Sequence, residues 1–452
     1  MRSRRRFPTK SFSVRSYGCR ASQSDGAAIA ADLQRRGLET ASGPADLVVI
    51  NTCTVTSEAD RDARQAIRHA HRENPEAEIL VTGCYAQRHP TELADLPGVK
   101  WVIGNSHKTR IGTIVAEALV KPSAPVSQAA YHGEISLGGT LVGNIFDQKH
   151  FLSAPVVEAG PDRTRPNLKI QDGCGNRCSF CVIPSVRGAS RSAPIGFVIE
   201  QVRMLSERYS EVVLTGINLG RWGRDLPEKP RLAHLLRMVL IETDVAKLRL
   251  SSIEPMDWTE ELLELVATTP RLAKHVHIPL QSASDTVLRR MRRRYRARHY
   301  ASRIEKARSL MPTASIGADV MVGFPGESDL EFEETRRFIA EMPFTYLHVF
   351  SYSSRPGTEA SEMPDEPVKP VKKLRNRVLR ELAAEKNLAF RSSLIGAAFD
   401  AVTLDHRAGG GSRALTDNYI PVRLPDQELA PGMPVRVRLS ECNGSTTLAR
   451  LA

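Results

Sequence analysis

Apolar residues recur along this chain in short runs that alternate with longer stretches of helical spacing. Between 11 and 120 the runs are SFSVRSYG, ADLVVINTC, AEILVTGC and KWVIGN, with helical periodicity over 22–36, over 57–72 and in the segment that closes at 119. Short apolar runs bounded by turn residues read as buried strands, and the periodic segments as amphipathic helices. Their alternation predicts an open α/β domain around a parallel sheet. The pattern returns from about 166 to 364, where NLKIQDG, EVVLTG, KLRLSS, KHVHIPL, SIGADVMVG and TYLHVFSY are separated by longer helices. Six such units predict a partial (β/α)6 barrel with its chemistry at the C-terminal strand ends. Residues 366–396 read as one long charged helix. After 390, AAFDAVTL, YIPVRL and MPVRVRLS are β-branched runs broken by Gly, Asn, Asp and Pro, which predicts a small, OB-like β-barrel. The expected fold class is α/β with domains at 10–121, 160–389 and 390–452. Residues 122–159, rich in Pro, Gly and Ala, read as a linker partly ordered by IFDQKHFL.

The cysteines sharpen this frame. Cys174, Cys178 and Cys181 form a C-x3-C-x2-C run directly after the first barrel strand. Three thiolates can hold three irons of a [4Fe–4S] cube and leave the fourth open to a substrate or cofactor. Structural zinc usually takes four protein ligands, and no His or fourth Cys lies near this triplet. Cys19, Cys53 and Cys84 each stand at the C-terminal end of one of the first three strands. Ligands of parallel α/β sheets gather there, so the three are expected to converge. Cys442 reads as a buried small residue of the β-module. A secreted disulfide framework would be shorter and denser, so the expected compartment is the reducing cytoplasm.

Sixty-three basic against 51 acidic residues give a net charge of +12 and a pI near 9.5, which favours a polyanionic partner. The densest basic run is Arg289, Arg290, Arg292, Arg293, Arg294, Arg296 and Arg298, read as phosphate contacts to RNA. A stretch of about 18 apolar residues, needed for a membrane span, is missing, so no membrane partner is expected. The opening MRSRRRFPTKSFSVRS lacks an apolar region and reads as a short basic extension, not a secretory signal.

KIQDGCGNRCSFCVIPSVRGASRS resembles the radical S-adenosylmethionine (SAM) enzymes, specifically their methylthiotransferase branch. The resemblance spans nearly the whole chain. It takes in NTCTVTSEADRDARQAIRHA, LVTGCYAQR, SSIEP, HIPLQSASDTVLRRMRRRY, GADVMVGFPGES and FSYSSRPGTEA, and ends in the β-module, called TRAM in that family. VINTCTVT and VTGCYAQ are most similar to the members that modify N6-threonylcarbamoyladenosine in tRNA. Other branches act on isopentenyladenosine in tRNA or on an aspartate of a ribosomal protein. One departure stands out: the family's first cysteine usually sits in GCKVNQ, and here the segment is GCRASQ, with Ser22 in place of Asn.

The resemblance implies two [4Fe–4S] clusters. Cys174, Cys178 and Cys181 would hold the one that binds SAM and yields the 5′-deoxyadenosyl radical. Cys19, Cys53 and Cys84 would hold an auxiliary one carrying the sulfur. SAM would serve both as methyl donor and as radical source, and the methylthio group would be delivered to C2 of the adenosine at position 37, beside the anticodon. The residues expected around SAM are Phe180, Thr215, Gly216, Asn218, Glu254, Gln281, Asp319 and Gly323. Implied partners are the tRNA anticodon loop, an electron donor such as flavodoxin or ferredoxin, and a sulfur source. A non-catalytic iron–sulfur RNA-binding regulator is the alternative from another class.

Overall fold

A computed structural model describes residues 10–120, 135–137, 139–148, 151, 164–404 and 410–452. The chain forms two units: residues 1–158, 171–176 and 181–193 make the first, and 159–170, 177–180 and 194–452 the second.

The first unit is built on the strands β1 (Ser11–Ser16), β2 (Glu39–Thr40), β3 (Leu47–Thr52), β4 (Glu78–Gly83), β5 (Val99–Gly104), β6 (Ile135–Leu137) and β7 (Thr140–Val142), in the order β2-β1-β3-β4-β5-β7-β6. Pairing is parallel from β2 through to β7, and only β6 runs antiparallel. The central strand β3, LVVINT, is buried at every position, as a parallel strand covered on both faces must be. Its alternate residues feed two cores. Leu47 and Val49 pack with Phe12, Leu33 and Leu80 on one face, and Val48 and Ile50 with Ile67, Val81 and Tyr85 on the other. Helix α1 (Arg20–Arg35) follows β1, α2 (Ser57–Glu73) follows β3, and α3 (Cys84–Arg88) follows β4. Thr56 caps α2 by accepting the Ala59 N–H at 3.1 Å, and Ala63, Ile67 and Ala70, three and four apart, form its buried face. The segment expected as a linker is corrected in part: β6 and β7 extend the sheet, because they satisfy the free edge of β5. The remainder of 122–159 lies largely outside the described residues, as do the first nine residues.

In the second unit the six expected barrel strands all form: β8 (Asn167–Asp172, its last two residues belonging to the first unit), β10 (Glu211–Gly216), β11 (Lys247–Leu250), β12 (His275–His277), β13 (Ser315–Val322) and β14 (Tyr346–Ser351); β9 (Arg191–Ser192) is a short strand of the first unit that pairs with the end of β8. They run β11-β10-β8 and β12-β13-β14. A parallel bridge from Leu248 to Leu272 and the Ile253 N–H on the His277 carbonyl at 3.1 Å join the two sets. The terminal strands β15 (Ala398–Thr403), β16 (Ser412–Thr416), β17 (Pro421–Leu424), β18 (Pro434–Asn443) and β19 (Thr446–Leu451) close into a five-stranded barrel around Ala414, Leu424, Val437 and Leu439. The long helix is Lys369–Ser392, so the boundary expected at 390 falls in its last turn.

A buried ion pair fastens the terminal barrel to the strands. Arg249 holds both Glu211 oxygens, at 2.7 and 2.9 Å, and donates to the carbonyls of Thr416 and Asp417 at 3.1 and 3.0 Å. Burial opposes the Glu211 charge, yet Arg249 and then Arg165 bring its carboxyl down to about 2. A carboxyl depressed below its unfolded value of about 4.3 stabilises the fold above that pH, and the contribution is lost as pH falls toward about 2. Thermal midpoints of wild type and Glu211→Gln are therefore expected to differ most at pH 6 and to approach each other by pH 3. A constant gap over that window would show that the pair carries no such linkage.

Candidate active site

Parallel pairing of β1, β3 and β4 brings their C-terminal ends side by side, and a cysteine follows each. Cys19 is the N-cap of α1, Cys53 follows Thr52 directly, and Cys84 opens α3. Two glycines permit the approach. Gly18 has φ +105°, and a Cβ there would lie 2.7 Å from the Cys53 Cβ. Gly83 has φ +100°, and a Cβ there would lie 2.4 Å from the Thr52 carbonyl oxygen and 2.6 Å from its nitrogen. Both positions need glycine for conformation and for space. The Cys53 thiol is pushed up to about 12, chiefly by burial and then by neighbouring Cys84, with Cys19 adding to it. A thiol so placed is costly to ionise without a cation to receive it.

The surroundings supply donors to these sulfurs. The Arg187 Nε–H points at the Cys84 Sγ at 3.4 Å, and the Asn105 amide donates to it at 3.6 Å. Arg187 reaches Ser22 Oγ at 3.3 Å, and Ser22 Oγ is 3.7 Å from the Cys19 Sγ. The serine that departs from the family pattern thus links one cysteine to the arginine that serves another. Arg187 is fully buried. It pairs with Asp172 at 2.8 Å and Asp25 at 3.0 Å, and Lys108 pairs with Asp25 at 2.9 Å. Burial works against the guanidinium charge, but Asp172, Cys84 and Asp25 together hold it protonated well above the ordinary arginine range. Sulfur ligands with N–H groups aimed at them fit an iron–sulfur group. Gly83→Ala is expected to remove about four irons per chain from the reconstituted protein and to lower its unfolding midpoint. Iron assay and thermal melting check this; unchanged iron would show that the close approach is dispensable.

The second cysteine loop has residues in each unit. In the first, Cys174 Sγ accepts the Asn176 N–H and Cys181 Sγ the Ile183 N–H, each at 3.4 Å. In the second, Arg293 donates to the Cys178 Sγ at 3.3 Å and pairs with Glu254. The flanking chain there is pinned by the Ser179 hydroxyl on the Arg290 carbonyl at 2.8 Å, and Phe180 meets Phe324 edge-on at 6.4 Å. Each sulfur carries an N–H donor, which suits thiolate ligation of a cluster as well.

The other expected residues scatter. Thr215 and Asn218 are buried at and just beyond the end of β10, which Gly216 closes. Gln281 takes φ +63° and bridges to Val320. The Gly323 N–H is held by the Glu327 carboxylate at 2.6 Å. Asp319 faces His348 and His277. The arginine run does not form one face. Arg293 is buried and serves Cys178, which corrects its reading as an RNA contact. Arg290 pairs with Glu331 at 2.9 Å and Arg292 with Glu359 at 2.7 Å. Arg289, Arg294 and Arg298 are exposed, and Arg296 is half-buried. Cys442 is half-buried on β18, less enclosed than expected, with Thr447 Oγ1 4.0 Å from its sulfur. Sequence reasoning missed Arg187, Asp25, Asp172, Lys108 and Asn105. The one available signal was PSVRG, immediately after the third cysteine of the loop.

Residues 11–104 match a family described as uncharacterized protein family UPF0004, and residues 168–339 match the radical SAM superfamily. The chain is 37% identical to threonylcarbamoyladenosine tRNA methylthiotransferase MtaB of Aquifex aeolicus over 90% of its own length and 94% of that protein's. The chain belongs to the radical SAM tRNA methylthiotransferases. It is also 30% identical to tRNA-2-methylthio-N(6)-dimethylallyladenosine synthase of Streptomyces coelicolor, over 96% of this chain and 85% of that one. Among solved structures it is similar to the radical SAM methyltransferase TsrM of Kitasatospora setae, with TM-score 0.58 and 14% identity over 78% of this chain and 77% of the other, a likeness of fold. Membership in the radical SAM methylthiotransferases implies a [4Fe–4S] cluster and SAM. No helix among the described residues is long and apolar enough to cross a membrane.

Proposed function

We propose that this methylthiotransferase acts at C2 of N6-threonylcarbamoyladenosine 37 in the anticodon loop of tRNA. The observation that carries the reading is the 37% identity, over nine-tenths of the chain, to a relative named for that substrate, against 30% to the relative named for the dimethylallyl one. Cys174, Cys178 and Cys181 hold the cluster that binds SAM, and Cys19, Cys53 and Cys84 hold an auxiliary cluster. When bound, these groups and SAM supply the radical, the methyl group and the sulfur. The protein's own residues orient and tune. Arg293 and Arg187 place a buried positive charge and an N–H at one sulfur of each set, where each would orient and hydrogen-bond a ligating sulfur. Thr215, Asn218, Gln281 and Gly323 offer polar groups and close backbone approach for SAM at or just beyond the strand ends. An electron donor such as flavodoxin or ferredoxin would supply the electron.

Nucleoside mass spectrometry of tRNA from a deletion strain tests the substrate. The methylthio form of threonylcarbamoyladenosine is expected to vanish on deletion and that of isopentenyladenosine to persist; the reverse would transfer the assignment. Anaerobic incubation with SAM and dithionite is expected to release 5′-deoxyadenosine, an outcome that a non-catalytic regulator would not produce. Arg289, Arg294 and Arg298, exposed on and around the turn after the Asp285–Arg290 helix, bind phosphate. Replacing all three by Gln is expected to weaken tRNA binding and to flatten the log Kd against log salt slope by roughly 0.7–0.9 for each phosphate no longer neutralised. An unchanged slope would place the RNA elsewhere.

A further inference from the structure

One face of β12, β13 and β14 carries a polar wall of which only Asp319 is expected near SAM. Side chains alternate along a strand. One set, Val276, Ile316, Ala318, Val320 and Val349, is buried and apolar. The other contains His275, His277, Asp319, Tyr346 and His348, with Asp319 directly opposite His348 in the register. The His348 Nδ1 and the Asp319 carboxylate are 3.1 Å apart, and the same oxygen lies 3.5 Å from His277 Nε2. Ser252 Oγ is 2.7 Å from His277 Nδ1 and so fixes that ring. His275 Nε2 is 2.6 Å from the Tyr346 hydroxyl, and its ring stacks on Tyr419 at 4.2 Å. Exposure rises from 6% at the His277 side chain through 24% at Asp319 to 51% at His348, so the cluster opens outward at His348.

We propose that His348, oriented by Asp319 and backed by His277, is the subsite that reads the carboxylate and hydroxyl at the end of the threonylcarbamoyl group. The inference rests on the substrate reading above and deepens it. With Nδ1 committed to Asp319, His348 keeps a second ring nitrogen on a half-exposed side chain. Both ring nitrogens can donate at once only as imidazolium, so in the complex one would face Asp319 and the other the bound carboxylate. A threonyl carboxylate satisfies that donor. An isopentenyl group is wholly apolar and leaves it unpaired, and unpaired polar groups are how a site rejects an analogue most strongly.

The test uses the reconstituted full chain with three anticodon stem-loop RNAs, carrying threonylcarbamoyladenosine, its carboxyl methyl ester, or isopentenyladenosine. His348→Ala is expected to lower kcat/KM on the acid about tenfold to a hundredfold, mainly through KM, and to change the ester little. His348→Gln, which can place an N–H near the same point, is expected to recover part of the loss. SAM cleavage without RNA serves as the fold control and is expected to be unaffected. Equal losses on acid and ester, or no loss on the acid, would overturn the inference while leaving the substrate reading intact. So would one equivalent of zinc retained by wild type and lost in His348→Ala, because the three side chains would then be metal ligands. Wild type that modifies the isopentenyl RNA and not the threonylcarbamoyl RNA would defeat the substrate reading itself, and this inference with it.

Discussion

Changing Cys19, Cys53 and Cys84 together to Ala is expected to remove about four irons per chain and to abolish methylthio transfer, while SAM is still cleaved to 5′-deoxyadenosine under dithionite. The substitution is mild for the fold. Each change deletes one sulfur, far less than the large-to-small core changes that cost about 2–5 kcal/mol. Arg187 keeps both carboxylates and Ser22 after Cys84 is gone. A loss of iron therefore reports ligation and not unfolding. The converse variant, with Cys174, Cys178 and Cys181 changed to Ala, is expected to keep about four irons and to lose SAM cleavage. The pair assigns each function to its own sulfurs. Full iron in the first variant, or zinc in place of iron in the wild type, would refute the two-cluster reading.

Arg187→Met is expected to be among the most destabilising single changes in the first unit, at about 3–5 kcal/mol. The four charges Arg187, Lys108, Asp25 and Asp172 balance in the buried site. Without the arginine, two carboxylates face one ammonium in a place where water cannot compensate. A methionine fills the volume, so the loss is electrostatic and not a cavity. Arg187→Lys is expected to recover only part, because an ammonium cannot span Asp172, Asp25 and the Cys84 sulfur at once. Adding Asp25→Asn to Arg187→Met removes one of the uncompensated charges and is expected to raise stability above that of the single variant. Urea denaturation of the four proteins checks the order. A stability for Arg187→Met within about 1 kcal/mol of wild type would mean that the site admits solvent.

The cysteine sites were legible because their signals are local. Cys174, Cys178 and Cys181 lie within one loop. Cys19, Cys53 and Cys84 each follow a strand, and a parallel sheet brings successive strand ends to one edge whatever the rest of the fold does. The arginine run was only half legible. Letters in a row do not show which way side chains point, and the turn at Met291–Arg292, with Arg292 at φ +54°, sends Arg293 inward and its neighbours out. The expected linker misled for a similar reason. A strand as short as Ile135–Leu137 has almost no periodicity to read, and it exists because the sheet edge beside it needs a partner.

The amino-acid order alone determined the alternation of strand and helix, the three-part sequence of folds, and the placing of Cys19, Cys53 and Cys84 after three neighbouring strands. These follow from periodicities and spacings spanning a few residues, which backbone geometry converts directly into placement. Tertiary structure alone decided that Arg187 joins Asp25, Asp172 and Cys84, that Arg293 serves Cys178, and that His277, Asp319 and His348 share a wall. Those partners lie far apart in the chain, from 15 residues for Arg187 and Asp172 to 162 for Arg187 and Asp25, and each by itself resembles an ordinary polar surface residue. A charge becomes a functional group only when burial removes its water and a distant partner replaces it, and a local pattern such as PSVRG does not name that partner.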